Sequence, residues 1–302
     1  MYKTVVSRKT YQFKNLKVLM AKATPLRSGD ILAGVAAKTQ EERVAAQMAL
    51  SEVPLKRFLE EELIPYEKDE VTRLILDSHE SQAFQPIANL TVGEFREYLL
   101  SENTTTEILQ KIKNGITPEM AAAVSKIMRN QDLISVSKKC EVITKFRNTI
   151  GLRGRLSTRL QPNHPTDDLK GIAASLIDGL LLGSGDAVIG INPATDNVHN
   201  AIELLKMLDG VREKYKIPTQ SCVLTHVTNT IEAIEKKAPV DLVFQSIGGT
   251  EKTNSSFGVN LHLLAEAYDA GLSLKRGTVG NNLMYFETGQ GSSLSANANY
   301  SL

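Results

Sequence analysis

The chain has 302 residues, of which 42% are hydrophobic and 23% are charged. This length and composition suit one large or two ordinary globular domains. Lys and Arg number 35 against 34 Asp and Glu, so the net charge of +1 argues against binding nucleic acid through bulk positive charge. No apolar run approaches the ~18 residues of a membrane span, and the N-terminus alternates too finely for a signal peptide. We therefore expect a cytoplasmic protein with two free thiols, Cys140 and Cys222.

The first half of the chain has the pattern of successive helices. The Ala-rich stretch EERVAAQMALSEV carries apolar residues at helical spacing. Thr91 with Glu94 three residues later forms the pattern of a capping box, and Thr117 followed by Pro118 is typical of a helix start. Because no alternating run interrupts this half convincingly, we predict an all-helical region over residues 1–150.

A different pattern begins near residue 151. One short alternating run and four apolar runs predict strands. They are RLSTRLQPN, DAVIGINP, SCVLTHVT, VDLVFQSIGG and LMYFETGQG. Stretches with helical spacing separate them. Strands that are buried on both faces and alternate with helices form parallel βαβ units.

Two folds contain such units, the doubly wound open sheet and the (β/α)8 barrel. The open sheet usually carries G-x-G-x-x-G after its first strand, and no such motif follows the first strand here. Polar side chains occur instead at the strand ends, where barrel enzymes place their active sites. These residues are Arg159, Gln161, Asn192, His226, Gln245, Ser246 and Glu287. We therefore predict a TIM-type barrel, with about five of its eight strands in this chain.

The polar residues at the strand ends also have structural interpretations. Glu287 is either a functional carboxylate or a rim residue paired with a structural arginine. Arg159 and Gln161 face the same side of a strand, which suits either a grip on one small molecule or the anchoring of a loop. Asn192 before Pro193 equally fits a plain turn. As a set, one carboxylate, one guanidinium and several amides suit a small amine or hydroxyl compound.

Other kinds of site have weak support. The five histidines contain no H-x-x-x-H pair, so we expect no metal site. The stretch DSHESQ begins like the cobalt-binding motif D-x-H-x-x-G but has Gln82 in place of the glycine. No lysine ends a strand, which disfavours a Schiff base, and Cys222 lies early in its strand, as a core residue would. A site without an activated nucleophile, a metal ion or a histidine base usually depends on a bound cofactor for its chemistry.

Five segments then occur together in one order: RLQPN, GDAVIGINP, IPTQSCVLTHVT, FQSIGG and YFETGQGSSLSA. With LRSGDILAGVAA and ERVAA near the N-terminus, they closely resemble the large subunit of the ethanolamine ammonia-lyase family. The resemblance covers essentially the whole chain. It implies a helical region over residues 1–150, followed by an incomplete (β/α)8 barrel over residues 151–302.

The resemblance also implies a reaction and its partners. The family uses adenosylcobalamin to convert ethanolamine to acetaldehyde and ammonia by radical chemistry. Its cobalamin keeps its own nucleotide base, so the missing D-x-H-x-x-G motif is expected. The implied partners are the small subunit of the same enzyme and other large subunits, and the implied location is a bacterial microcompartment.

Residue roles follow from the same resemblance. The substrate-binding positions are Arg159, Leu160, Gln161, Asn192 and Glu287. Within this set the family pattern places Arg159 and Asn192 on the substrate hydroxyl and Gln161 on the ammonium, while Glu287 contacts both groups and is the catalytic residue. The positions that line the cofactor are Pro193, Gln245, Ser246 and Ser295.

The family chain continues beyond Leu302 with the remaining strands and a further substrate-binding Asp. The resemblance therefore implies a C-terminally truncated chain, which we expect to be inactive alone. Two alternatives stay open from the sequence. One is a different barrel lyase or isomerase that uses Glu287 as a base, and the other is an inactive fragment that keeps only subunit-assembly surfaces.

Overall fold

A computed structural model of the chain describes residues 1–288. Contacts divide them into two compact units. The helical unit comprises Met1–Glu141 and Gly248–Ser256, and the β/α unit comprises Val142–Ile247 and Phe257–Thr288. None of the helices in the described part is long and apolar enough to cross a membrane.

The helical unit begins with two strands, β1 (Tyr2–Val6) and β2 (Lys9–Phe13). The helices that follow are α1 (Leu16–Ala23), α2 (Ser28–Leu32), α3 (Gln40–Ser51), α4 (Arg57–Glu60), α5 (Glu70–Asp77), α6 (Ser81–Phe84), α7 (Val92–Leu100), α8 (Thr106–Ile112), α9 (Pro118–Lys126) and α10 (Asn130–Ser137).

The prediction that residues 1–150 are all-helical is wrong at both ends. Two short antiparallel strands, Thr144–Lys145 and Thr149–Ile150, lie at the end of this range, and a hairpin lies at its start. Strands β1 and β2 form an antiparallel hairpin in which Tyr2 pairs with Phe13. Its two-residue turn places Ser7 and Arg8 at φ of 49° and 65°, a conformation that hairpin turns usually assign to Asn or Gly. Asn and Gly are missing from this turn, so the sequence does not indicate a hairpin there. The alternation of β2, which buries Tyr11 and Phe13, is therefore easy to overlook.

The three helices predicted from capping patterns and spacing are confirmed. In the capping box of α7, the Thr91 N–H donates to Glu94 Oε2 at 2.8 Å and the Glu94 N–H donates to Thr91 Oγ1 at 3.1 Å. Thr117 caps α9, with Pro118 as the first helical residue. Thr39 caps α3 by accepting from the N–H of Glu42 at 3.0 Å. Each cap satisfies backbone donors that a helix start leaves unpaired.

Helix α3 packs through its small residues. Its buried side chains are Ala45, Ala46, Ala49 and Leu50. Val44 and Met48 are 44% and 47% exposed. The apolar spacing therefore indicates the helix correctly, while the alanines decide which face is buried.

The remaining elements continue in chain order. They are β3 (Thr144–Lys145), β4 (Thr149–Ile150), β5 (Arg159–Leu160), α11 (Leu169–Leu181), β6 (Val188–Ile191), α12 (Val198–Tyr215), β7 (Ser221–Val223), α13 (Val227–Glu235), β8 (Val243–Ile247), α14 (Glu251–Ser256), α15 (Leu261–Ser273) and β9 (Met284–Thr288). All of them except α14 belong to the β/α unit.

The predicted parallel βαβ units are present. Strand β5 pairs parallel with β6, β6 with β7, and β8 with β9. Between the two groups, the Leu242 N–H just before β8 donates to the Ser221 carbonyl in β7 at 3.1 Å. Helices connect the consecutive strands, so their order in space follows their order in the chain. Over residues 1–288 these strands form sheets that do not close into a barrel.

The core of the β/α unit lies between the strands and the helices that connect them. All four residues of β6 and all three of β7 are buried. Helices α11 and α12 cover them with Ile172, Leu176, Leu204 and Leu208, each at most 1% exposed. A fully buried leucine or isoleucine side chain is worth roughly 1.5–3 kcal/mol, so these layers fix the positions of the strand ends.

A buried ionic cluster lies at the start of β7 and β8. The Asp241 carboxylate accepts from Arg276 Nε at 2.7 Å and from Arg147 Nη1 at 3.3 Å, and its other oxygen accepts from the Ser221 N–H at 3.0 Å. Arg276 also binds Asp209. Burial alone would raise the pKa of Asp209, but Arg212 and Arg276 hold that pKa below its ordinary value. Each arginine of this cluster is thus paired with a carboxylate, as a structural role requires.

Replacing Asp241 with Asn should unfold the β/α unit more easily. The substitution keeps the shape but leaves buried guanidinium groups without their counter-charge, and such a loss typically costs about 3–5 kcal/mol. Urea denaturation followed by circular dichroism measures the free energy of unfolding. Asp269→Asn, at an exposed position on α15, is the matched control. An Asp241→Asn variant with the unfolding curve of the parent would contradict the structural role.

Candidate active site

The sequence-predicted site residues lie where parallel strands end. Arg159 lies in β5, Asn192 directly follows β6, and Glu287 is the penultimate residue of β9. Parallel strands bring their carboxyl ends to the same edge. The chain therefore presents residues from distant positions in one region of the β/α unit.

Arg159 forms the centre of this region. Its Nη1 donates to the Tyr285 hydroxyl at 2.7 Å, and its Nη2 donates to Asn192 Oδ1 at 3.4 Å. Its Cζ lies 5.5 Å from the centroid of the Tyr285 ring, within the range of a cation–π contact. Nε is buried without a hydrogen-bond partner among residues 1–288. Both hydrogen bonds go to uncharged oxygens, so neither of these partners neutralises the positive charge.

The contact between Arg159 and Tyr285 requires the strands to curve. Strand β5 is the first of the parallel strands, and β9 is four positions further along. At about 4.8 Å for each step, a flat arrangement would separate the two strands by roughly 19 Å. A direct hydrogen bond between their side chains therefore places both residues on the concave side of a curved array.

Gly190 in β6 provides space for the guanidinium. A Cβ atom on Gly190 would lie 2.9 Å from Arg159 Nε and 3.2 Å from Nη2. Real Cβ atoms essentially never come so close, and any larger side chain would have to displace the guanidinium. The glycine is thus explained by the close approach of Arg159, since Gly190 does not adopt a positive φ.

Tyr285, Glu287 and Ser246 share a face. Alternation places Tyr285 and Glu287 on the same side of β9. The parallel register pairs Ser246 with Glu287. One step earlier, the rings of Phe244 and Tyr285 make an edge-to-face contact with centroids 5.9 Å apart. The exposed Glu287 carboxylate therefore continues the surface that begins at Arg159.

Two sequence-predicted residues direct their side chains elsewhere. Leu160 packs against α11, where a Cβ on Gly179 would lie 2.4 Å from its Cδ1. Gln245 is buried, accepts the N–H of Val227 at 2.9 Å and donates to the Ser246 carbonyl at 3.1 Å. By alternation it faces away from Ser246. Any contact that Leu160 makes with a ligand in the site would come from its backbone.

Three further predicted positions lie outside this side-chain cluster. Gln161 follows β5 directly and is exposed. Pro193 is half-buried in the loop after Asn192. Ser295 lies outside the described residues, so its contacts with the site stay a prediction.

Asp167 and Asn163 hold the loop after β6 in place, and the sequence interpretation did not identify either. Asp167 is 9% exposed, and its two oxygens accept from the N–H groups of Ala194 and Thr195, both at 2.8 Å. Asn163 Oδ1 accepts from the Asn192 N–H at 2.9 Å. No local sequence pattern reveals hydrogen bonds between residues that are 27 and 28 positions apart.

His226 and Cys222 have structural environments. His226 uses Nδ1 with Thr228 Oγ1 at 2.8 Å and Nε2 with the Phe257 carbonyl at 2.9 Å, so both ring nitrogens are engaged. Burial raises the pKa of the Cys222 thiol, which keeps it protonated. Among residues 1–288, no cluster of His, Cys, Asp and Glu has the arrangement of a metal site.

The shared surface combines a guanidinium whose hydrogen-bond partners among residues 1–288 are uncharged, an amide oxygen and an exposed carboxylate. A guanidinium donates to a hydroxyl oxygen, the amide oxygen accepts from a hydroxyl hydrogen, and a carboxylate binds an ammonium group. The arrangement therefore suits a small molecule that carries both a hydroxyl and an amino group.

Comparison with known proteins agrees with this chemistry. The family model described as ethanolamine ammonia lyase large subunit matches residues 11–302. The chain is 50% identical over 298 residues to the ethanolamine ammonia-lyase large subunits of Salmonella typhimurium and of Escherichia coli K12. The match covers 99% of this chain and 66% of each relative, so the chain spans about two thirds of their length. From this extent of identity, the chain belongs to the ethanolamine ammonia-lyase large-subunit family.

Proposed function

We propose that the surface around Arg159 binds ethanolamine, and that the protein at the length of its relatives converts ethanolamine to acetaldehyde and ammonia. The observation that carries the proposal is the convergence of Arg159 and Asn192 on the face that also presents Glu287. These groups have the charges and hydrogen-bonding capacity of a hydroxyl site beside an ammonium site. The names of the relatives agree with this substrate.

Each residue has a defined part in this proposal. Arg159 donates to the carbinol oxygen, with the donors that Tyr285 and Asn192 leave unused. Asn192 Oδ1 accepts one hydrogen bond from Arg159 and keeps a second lone pair for the substrate hydroxyl. Gln161, exposed directly after β5, binds the ammonium, and Glu287 contacts both the ammonium and the hydroxyl. Because the ammonium group is already protonated at neutral pH, it departs as neutral ammonia when its C–N bond breaks, and the hydroxyl proton is released as the carbonyl forms. The site therefore needs oriented charges more than acid strength.

Adenosylcobalamin fits this account as the cofactor. When bound, it supplies the radical that removes and later returns one hydrogen atom of the substrate. Pro193, Ser246, Gln245 and Ser295 are the residues that we propose to hold it. The half-buried Ser246 is accessible on the face of Glu287, whereas the Gln245 amide already bonds within the protein, so that Gln245 would contribute through its backbone.

The curvature of the parallel strands supports a proposal about the complete fold. We propose that they form one side of a (β/α)8 barrel over residues 151–302 and beyond, preceded by the mainly helical region of residues 1–150. A closed barrel would exclude water from a reactive intermediate. The same proposal includes a small subunit and further large subunits as partners, and a bacterial microcompartment as the location.

Isotope transfer tests the proposed reaction. The chain is completed to the length of its relatives with the corresponding Salmonella typhimurium residues, purified with the small subunit and given adenosylcobalamin. Ethanolamine deuterated at the carbinol carbon should yield acetaldehyde, with deuterium in both the cofactor and the product methyl group. Acetaldehyde without deuterium in the cofactor would contradict the radical route, and absence of turnover would contradict the proposed function.

Replacing Glu287 with Gln should remove nearly all turnover from the completed protein while cobalamin still binds. The loss of a preorganised charge that contacts the substrate should cost about 3–5 kcal/mol of transition-state stabilisation. Steady-state kinetics and the cobalamin absorption spectrum provide the two measurements. Glu266→Gln, exposed on α15, is the matched control. Turnover within tenfold of the parent would show that Glu287 is a rim residue.

Replacing Arg159 with Lys should also reduce activity strongly, although the positive charge is kept. An ammonium lacks the planar set of donors with which Arg159 contacts Tyr285 and Asn192 together. We expect kcat/KM to fall at least about a hundredfold. Arg155→Lys, in the exposed loop before β5, should retain the activity of the parent. Parental kinetics in the Arg159→Lys variant would contradict a direct role in substrate binding.

A further inference from the structure

Tyr285 contacts Arg159 in two ways. Its hydroxyl oxygen accepts from Nη1 at 2.7 Å, and its ring faces the guanidinium with Cζ 5.5 Å from the centroid. A hydrogen bond restricts the direction of one nitrogen, and a ring contact restricts the position of the whole group. Together they leave the guanidinium little freedom to turn.

The surroundings of Tyr285 hold it in turn. Its ring packs edge-to-face on Phe244, with centroids 5.9 Å apart and planes at 78°. The register pairs Tyr285 with Phe244 on the neighbouring strand, so this contact is built into the sheet. Tyr285 is therefore a rigid partner with few rotatable bonds, which suits the task of fixing a longer and more flexible side chain.

Arg159 needs such a partner. Its second hydrogen bond, to Asn192 Oδ1, is long at 3.4 Å, and its Nε has no partner among the described residues. Gly190 beneath the guanidinium provides space but no bonding group. Of the contacts described for the guanidinium, the one with Tyr285 is the shortest. Its loss would leave the charged group free to adopt other orientations.

We propose that Tyr285 is the positioning residue for Arg159, and that it thereby selects substrates that carry a hydroxyl group. The selectivity arises because a guanidinium held in one orientation binds a hydroxyl oxygen at one position in the site. A mobile guanidinium forms that hydrogen bond for less of the time. This inference rests on the proposed function. Tyr285 makes no direct contact with the substrate amino group, because Glu287 binds that group.

The test compares two ligands in the completed protein with its small subunit and adenosylcobalamin. Tyr285→Phe removes only the hydroxyl oxygen. It should raise the KM for ethanolamine about tenfold, because Arg159 then holds its bond to the substrate hydroxyl, itself a hydrogen bond to a charged group, in the productive orientation for less of the time. The inhibition constant of ethylamine, which lacks the hydroxyl, should stay within twofold of the parent. A general structural defect would weaken both ligands equally, and that result, or an unchanged KM, would overturn the inference.

Two further variants give independent readings. Gly190→Ala should displace Arg159 while the Tyr285 side chain stays intact, and it should produce the same difference between ethanolamine and ethylamine. Tyr268→Phe, at an exposed position on α15, is the matched control and should change neither ligand. Equal weakening of both ligands by Gly190→Ala would also count against the proposal.

A thermal-unfolding cycle separates this inference from the proposed function. Tyr285→Phe and Arg159→Lys should each lower the Tm, and the double variant should lower it no further than the larger single effect, because both remove one contact. Additive shifts would overturn the positioning role even if the enzyme is active. If the parent neither binds nor turns over ethanolamine, the proposed function fails and the selectivity fails with it, while the cycle still decides whether Tyr285 fixes Arg159.

Discussion

The hydrogen bond between Arg159 and Tyr285 is the constraint on which the site depends. It joins residues 126 positions apart, on the first and the last of the parallel strands within residues 1–288. The bond is possible only because the strands curve, and the curvature in turn makes their carboxyl ends converge. This convergence gives three residues a place in the site: Gly190, Asn192 and Glu287. Without it, each would be an ordinary residue at or near the end of a strand.

The charged side chains at the two ends of the strands differ in how they are paired. Near the start of β8, the Asp241 carboxylate is completely buried among arginines that match its charge. At the carboxyl ends, Arg159 bonds to two neutral oxygens, and Glu287 is exposed on the same face. Charged groups that are already paired with one another in a buried cluster have few free donors or acceptors for a ligand. Separated and partly unsatisfied charges cost stability locally, and they bind a molecule of complementary charge.

The sequence predicts local and periodic features well. Helix caps at Thr91 and Thr117, the alternation of strands with helices and the polar strand ends all depend on neighbouring residues, and the structure contains them. The hairpin of β1 and β2 was missed because Ser7 and Arg8 adopt a turn that usually requires Asn or Gly. The wrong assignment of that segment as helical therefore has a local cause.

The remaining features of the site depend on distance in space. Period-two spacing places Tyr285 and Glu287 on one face, but only the curvature of the strands brings Tyr285 to Arg159. Gly190 looks like a weak strand residue until the guanidinium lies over it. Gln245 and Ser246 are adjacent in sequence and were predicted to act together, yet their side chains face opposite sides of β8. Such relationships follow from packing between strands, which no single segment encodes.

An experimental structure of the completed protein with bound ethanolamine tests the central claim most directly. The account predicts the substrate oxygen within about 3.2 Å of Arg159 and Asn192, with the ammonium group at Glu287 and the guanidinium still bonded to Tyr285. Ethanolamine bound away from Arg159, or bound there with its amino group turned from Glu287, would contradict it.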